Sequence, residues 1–406
     1  MLTRFLKDRR GGVAPMLALL ALPLMGAVGA AVDFSRANAT RTAMQGALDS
    51  TALSLLRQAA SGVDVSGQAQ QTFGALFAHP EVLNVSVNAV SSSGSASANV
   101  SLTASGAVMT TFLGVLGYST LNITAQSTAH STNDTSGCVL ALDSTVAGAV
   151  SASGSSSVSL KDCSLYSNSN SASSLTAGGS TTLSASLIGV VGGVSLSGSN
   201  VTTTQGIRTG IPQLADPYID VAFPSYSGCT QSNFTAKTTI TISPGVYCNG
   251  ISVNADATLT LNPGIYYIDR GSFAVNGGGT VTGTGVTLVF TSSTGTNWPT
   301  ATINGNAVVS LTPPLSGPTT GIVIFGDRRL PTGTAFKLNG GSDQSLSGAI
   351  YVPTGAINYS GGAASSMSCT QIIGDTVSFT GNSNVAINCS SYKTRPFGLV
   401  LVRLTS

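Results

Sequence analysis

Ser243-Pro244-Gly245-Val246-Tyr247 recurs as Asn262-Pro263-Gly264-Ile265-Tyr266, nineteen positions later. Each copy leads into a stretch of alternating polarity, 251–261 after the first and 273–281 after the second. A repeat of about 20 residues is the length of one coil of a β-solenoid, whose coils supply their own connections. Outward from this pair, apolar runs recur along the chain at Cys138–Leu142, Gly285–Phe290, Gly321–Phe325, Gly348–Val352 and Gly398–Val402. Such runs suit strands buried on both faces, as in parallel sheets. No amphipathic helix lies between them to make βαβ crossovers. The fold is therefore expected to be mainly β, with a large β-solenoid (parallel β-helix-like) body. The runs are unevenly spaced, so long loops must interrupt the stack. A β-sandwich or jelly roll is the alternative.

All six cysteines, Cys138, Cys163, Cys229, Cys248, Cys369 and Cys389, lie in that body. None is spaced Cys-x-x-Cys, and His79 and His130 are the only histidines, so no metal site is expected. Disulfides in an oxidising compartment are the simpler reading. Pairing in sequence order is one of fifteen connectivities. It closes loops of about 20–25 residues, each worth roughly 3 kcal/mol.

Only 8% of the 406 residues are charged, but 42% are hydrophobic, which argues against disorder. Formal net charge is +2, and Arg4, Lys7, Arg9 and Arg10 are all in the N-terminal tip. No basic field is left for nucleic acid. Behind the tip, residues 11–32 are uncharged and end at Asp33. At about 1.5 Å per residue they span roughly 33 Å as a helix, enough to cross a bilayer. The basic tip, with no positive residue directly behind the run, sets the N-terminus in the cytoplasm and exports the rest. Helical periodicity continues past Asp33 through Met44, Ala47, Leu48, Thr51, Ala52, Leu55 and Leu56. A cleaved signal peptide has no reason to share a helix with the mature protein, so an uncleaved anchor is expected.

Between anchor and body, 65–77 permits a second short helix, and 82–90, 96–104 and 121–127 alternate as strands. Residues 109–117 suit a short helix closed by Gly117. The chain thus divides into a basic tip (1–10), a transmembrane helix (11–32), a helical extension (33–60), a small α+β membrane-proximal unit (61–135) and the Gly/Ser/Thr-rich solenoid body (136–406).

The ordered combination of basic tip, Gly11 or Gly12, Ala14, an Ala-rich helix, Asp33 with Phe34, then Gln45, Ala47, Leu48 and Asp49 resembles the TadE/TadG-like proteins of the tight-adherence (Flp) pilus system. The stretch Thr110–Gly117 before a strand and the arrangement of Cys138-Val139-Leu140-Ala141-Leu142-Asp143 with the later cysteines are similar to that family too. Prepilin-like members are cut after a glycine that precedes a glutamate by five residues. Leu17 holds that place after Gly12, so the chain resembles the TadG side. Some relatives carry a metal-binding Asp-x-Ser-x-Ser after a buried strand. Here Asp143 is followed by Ser144-Thr145-Val146-Ala147, and Ala147 cannot ligate.

Polysaccharide-cleaving β-helices need clustered carboxylates. Glu81 is the only glutamate, and it lies outside the body. The body aspartates are dispersed, the closest pair being Asp216 and Asp220 in an apparent linker, while Asp327-Arg328-Arg329 reads as a turn with local ion pairing. Trp298, the only tryptophan, reads as a loop residue buried on the core. No catalytic residue, cofactor or small-molecule substrate is expected. The reading is a non-enzymatic, single-pass inner-membrane protein with a periplasmic body. By resemblance it assists assembly or anchoring of a tight-adherence pilus with other assembly components. The alternative is a surface-released adhesin or carbohydrate-binding β-helix protein.

Overall fold

In the computed structural model the described residues are 13–60, 65–93, 97–132, 136–339, 344–361, 369–386, 390–399 and 401–405. They form two units, one from Met1–Asn133 with Val400–Ser406 and the other from Asp134–Leu399.

In the first unit a single 48-residue helix, α1 (Val13–Ala60), runs unbroken through Asp33 with Pro23 inside it. A 3-10 turn (Ser66–Gln68) and α2 (Ala69–Leu76) follow. Strands β1 (Val82–Ser93), β2 (Ser97–Met109) and β3 (Thr120–Thr132) make an antiparallel meander, with Val87 beside Ala104 and Ala104 beside Ala125. The three- and four-residue spacing read from the sequence now has its cause. Met44, Leu48, Ala52, Leu55, Leu56 and Ala59 form the buried stripe of α1, packed with Val100, Leu102, Ala104, Ile123, Ala125 and Ala129 from the sheet. Each fully buried leucine there contributes roughly 1.5–3 kcal/mol.

The fourth strand of this sheet corrects the sequence reading. Residues 398–402 were expected as a solenoid strand, at the end of a body running to 406. Instead Leu401–Thr405 pairs antiparallel with β3, Arg403 opposite His130, and belongs to the first unit. An apolar run fits an antiparallel edge as well as a parallel core, and nothing local in it selects the neighbour.

The second unit is the expected mainly-β body, a three-faced parallel β-solenoid, but it is not wound in chain order. Its first strand, Gly137–Ala141, lies between Ser164–Ser167 and the long late strand Thr370–Ala386. From there the coils step through Ile188–Val190 to Ile207–Thr209. Residues 210–230 form no strand, and Gln231–Ala236 then begins a second stack. This one proceeds through Gly245–Val253, Gly264–Val275, Val286–Thr291, Ile322–Gly326 and Gly348–Gly361 to Thr370–Ala386. The last strand contacts all three strands of the first coil, with Ile372 beside Val139, Val377 beside Val150 and Val385 beside Leu160. A seam in the middle of the solenoid therefore joins its earliest and latest coils.

The Pro-Gly-x-Tyr repeat is a recurring local device. Tyr247 donates its hydroxyl to the Ser243 carbonyl at 2.7 Å, and Tyr266 donates to the Asn262 carbonyl at 2.8 Å, each satisfying the residue before the proline. Strand register does not follow the repeat, because Val246 lies beside Tyr267 rather than Ile265. Both offsets are odd, and residues on one face of a strand recur every second position, so the two-residue slip keeps every side chain on its face. Corners fall at Asn249-Gly250 and Arg270-Gly271, all four with positive φ.

Both faces of the apolar runs are covered, for two separate reasons. Tyr247, Tyr266, Ile268, Leu288, Phe290, Ile350 and Ile372 point into the solenoid core. The alternate residues Tyr166, Tyr267, Val289, Phe325, Tyr351 and Ile373 point outward, where the segment 210–230 covers them with Ile211, Tyr218, Val221, Phe223 and Tyr226. What reads in sequence as a linker is a packed strap.

Cys138–Cys163 and Cys229–Cys248 are disulfides with Cα separations of 5.7 and 5.9 Å. The first joins neighbouring coils across the Gly137–Ser164 pairing, and the second joins the end of the strap to the strand beside it. Cys369 is also disulfide-bonded, while Cys389, its expected partner, lies outside the described residues.

Candidate functional site

The strongest concentration of polar contacts reaching out from α1 lies just past its apolar run. Asp33 is buried, at 2% exposure, yet carries a carboxylate. Its Oδ1 accepts the Thr111 N–H at 3.0 Å, and its Oδ2 accepts the N–H groups of Phe112 at 2.8 Å and Leu113 at 2.7 Å. These are the otherwise unpaired donors at the start of the 3-10 turn Leu113–Leu116, which Gly117 closes with φ +92°. Burial pushes the carboxyl pKa up, but the three N–H donors outweigh it and hold the group below its ordinary value. Further along the helix Arg36 Nη1 donates to Thr111 Oγ1 (2.9 Å), Arg41 Nε to the Thr124 carbonyl (2.9 Å) and Gln45 Nε2 to the Gln126 carbonyl (2.7 Å). One face of α1 is thereby stitched to β3 and its preceding loop. Gln45 and Asp49 also line a recess of about 290 Å³ with Gln126, Ser127, Leu404 and Thr405. The sequence singled out Asp33, Gln45 and Asp49 as a pattern. What they hold became visible only in three dimensions.

The topology residues Arg4, Lys7, Arg9 and Arg10 lie outside the described residues. His79 and Glu81 pair at 2.8 Å, which holds the Glu81 carboxyl below its ordinary range. In the body, the aspartates serve backbone and strap. Asp143 Oδ1 accepts the N–H groups of Thr145 and Val146, both at 2.7 Å, which makes it a turn residue. Asp327 pairs with Arg329 at 2.6 Å and accepts Thr291 Oγ1 at 2.7 Å. Arg329 lies over the ring of Trp298, 5.8 Å from its centroid, and Trp298 packs half-buried on the solenoid core. Among the described residues no three His, Cys, Asp or Glu side chains gather in a way that could hold a metal ion.

Two groups of residues far apart in sequence come together in ways the sequence did not indicate. Arg328 leaves its turn to grip the strap, donating to the carbonyls of Tyr218 (2.6 Å) and Val221 (3.0 Å) and to the Tyr351 hydroxyl (3.0 Å). Tyr351 in turn donates to Asp216 Oδ2 at 2.8 Å. Asp220 pairs with Arg395, and Tyr218 donates to Gln371 Oε1 at 2.8 Å. The two body aspartates closest in sequence thus fasten the strap by both ends of one short segment.

At the seam, Asp375 of the latest coil lies against Asp143 of the earliest, the Asp143 N–H bonding the Asp375 carbonyl at 3.0 Å. Burial, and then the Asp143 charge, push the Asp375 carboxyl up to about 6. The folded carboxyl keeps its proton where the unfolded one has already lost it. Its contribution to stability is therefore full below about pH 4 and is lost as pH rises through about 6. Asp375→Asn should stabilise the protein at pH 7 by about 1–2 kcal/mol, after discounting for partial exposure, and flatten the stability profile between pH 4 and 6. Urea midpoints at pH 4, 6 and 7 check this; an unchanged profile would mean that neither burial nor the Asp143 charge raises the Asp375 carboxyl.

Residues 11–67 match the family model described as "Putative Flp pilus-assembly TadE/G-like". No curated protein and no solved structure matches the chain.

Proposed function

We propose, with the TadE/G-like match over residues 11–67 as premise, that this protein is a membrane-anchored, non-enzymatic factor in assembly of an Flp-type pilus. The observation carrying the proposal is the continuity of α1 across that match. Leu19, Leu20, Leu24, Met25 and Val28 are exposed on an unbroken helix whose later turns, from Met44 to Ala59, are buried in a folded unit. An exposed apolar helical segment long enough to cross a membrane has a bilayer as its natural cover. Cleavage at the small residues Gly29-Ala30-Ala31 would sever this helix within its length. In this reading the helix fixes orientation in the inner membrane, and the disulfide-bonded solenoid works in the periplasm, presenting surface to other assembly components.

Three measurements test the proposal. A phosphatase reporter fused after Ser61 should be active, because the basic tip holds the N-terminus inside. Arg9→Glu with Arg10→Glu should misorient the protein and abolish piliation, as should deletion of the gene. Normal piliation after gene deletion would overturn the pilus assignment. Mature protein starting near Val32, recovered outside the inner membrane, would instead establish the released adhesin.

A further inference from the structure

The loop from Met109 to Tyr118 exposes more apolar surface than a loop in contact with water should. Phe112 is 51% exposed, Val115 87%, Leu116 59% and Tyr118 68%. The segment carrying the loop contains no Asp, Glu, Lys or Arg between Glu81 and Asp134, so it brings no charge of its own; the charges that touch it, Asp33 and Arg36, come from α1 at the Thr111 end, just past the apolar run. Scattered apolar side chains on a surface need no explanation, but a contiguous cluster does.

The position of the loop identifies its cover. Within this unit it lies along the exposed apolar part of α1. A Cβ added to Gly29 would fall 2.5 Å from Phe112 Cβ, and one added to Gly26 would lie 3.9 Å from Leu116 Cδ1. Gly29 therefore gives Phe112 the space to approach the helix. Both glycines belong to the uncharged run ending at Val32, roughly 5 and 9 Å inside its end at 1.5 Å per residue. Asp33, at the boundary of that run, holds the loop there through its three backbone hydrogen bonds. The carboxylate satisfies the N–H groups at the start of the 3-10 turn. Those donors would otherwise face a region without water to bond them.

We propose that residues 109–118 form a second membrane-contact element, a wedge that enters the outer interface of the same bilayer the helix crosses, with Asp33 as its positioning residue. The occupant of this surface is lipid acyl chain rather than a partner protein. Phe112 and Leu116 lie at the level of Gly29 and Gly26, beside the exposed Met25 and Val28 of the same apolar run, and Tyr118 suits the headgroup level. The element gives the first unit a second point of attachment. A single helix can rotate about its axis, whereas a helix with an adjoining wedge holds one face of its folded unit toward the membrane.

The inference rests on the anchored reading above, and one experiment separates the two. The full-length chain carrying Val115→Cys, Leu24→Cys or Ser144→Cys is labelled with an environment-sensitive fluorophore. Each is reconstituted into phosphatidylcholine–phosphatidylglycerol vesicles with or without lipids bearing a nitroxide high on the acyl chain. Labels at 24 and 115 should both be quenched, at 115 by at least half as much as at 24, while 144 in the solenoid should not be. Quenching at 24 without quenching at 115 overturns the wedge and leaves the anchor standing, including the case where a protein partner shields the loop. Absence of quenching at 24 overturns the anchor and the wedge with it. Asp33→Ala should reduce quenching at 115 several-fold with 24 unaffected. Unchanged quenching at 115 in that variant removes the positioning role from Asp33.

Discussion

Replacing Arg328 by alanine should destabilise the solenoid by about 3 kcal/mol and loosen the strap. The guanidinium satisfies two strap carbonyls and the Tyr351 hydroxyl. Its removal forfeits three hydrogen bonds from a charged donor and takes from the Val221 carbonyl its guanidinium donor, at about 1–3 kcal/mol for a buried group left unpaired, while the Tyr218 carbonyl keeps the Val221 N–H at 3.0 Å. The same change also takes the cation away from the rings of Phe325 and Tyr351, 5.7 and 5.4 Å from their centroids. Trp298, the only tryptophan, lies in this unit, so its fluorescence in urea reads the unit without added label. The midpoint should fall, and proteolysis should begin within 210–230. A variant with the wild-type midpoint and an intact strap would show that apolar packing of Tyr218, Val221 and Phe223 holds the strap unaided.

The second large effect belongs to the disulfide between the first two coils. Cys138→Ser with Cys163→Ser opens a loop of 25 residues, whose closure is worth roughly 3–4 kcal/mol. The consequence should reach well beyond these coils. Cys138 sits in the earliest coil, which stacks on the latest through Ile372–Val139 and Ile373–Leu140, whereas Trp298 lies in the stack wound afterwards. If the seam joins the two stacks into one cooperative body, the midpoint reported by Trp298 must shift with the loss of a disulfide in the other stack. A Trp298 transition that stays in place, while peptide mapping confirms that the bridge is gone, would mean that the stacks unfold independently and the seam transmits nothing.

The seam and the strap also explain why a chain this poor in charge stays folded as β-structure. Parallel strands with apolar residues on both faces cannot leave either face in water. Coiling buries one face. The other is covered by a segment whose polar groups are fastened by Arg328, Arg395, Asp216 and Asp220.

Much of this was decided by local sequence alone. The period of three and four residues through Met44, Leu48, Leu55 and Leu56 sets the buried face of α1, because side chains at that spacing share one side of a helix whatever they pack against. Alternation in 82–90 and 121–127 sets strands with one face inward for the same kind of reason. The nineteen-residue step between the two Pro-Gly-x-Tyr copies gives the length of about one coil, but the register that puts Tyr247 and Tyr266 on one face, and the choice of Cys138–Cys163 and Cys229–Cys248 among fifteen connectivities, came with the folded chain. Only the tertiary structure decided which strand lies beside which. A period-two pattern states which face is apolar but is indifferent to the neighbour. Gly137–Ala141 could therefore stack on Thr370–Ala386, and Leu401–Thr405 could leave the solenoid for β3, with no local mark of either. Likewise an outward apolar face demands a cover without naming it. That 210–230 supplies the cover, and that Asp33 holds a loop nearly eighty residues away, are long-range pairings whose two halves look ordinary when read separately. Their energy exists only once the chain has brought them together.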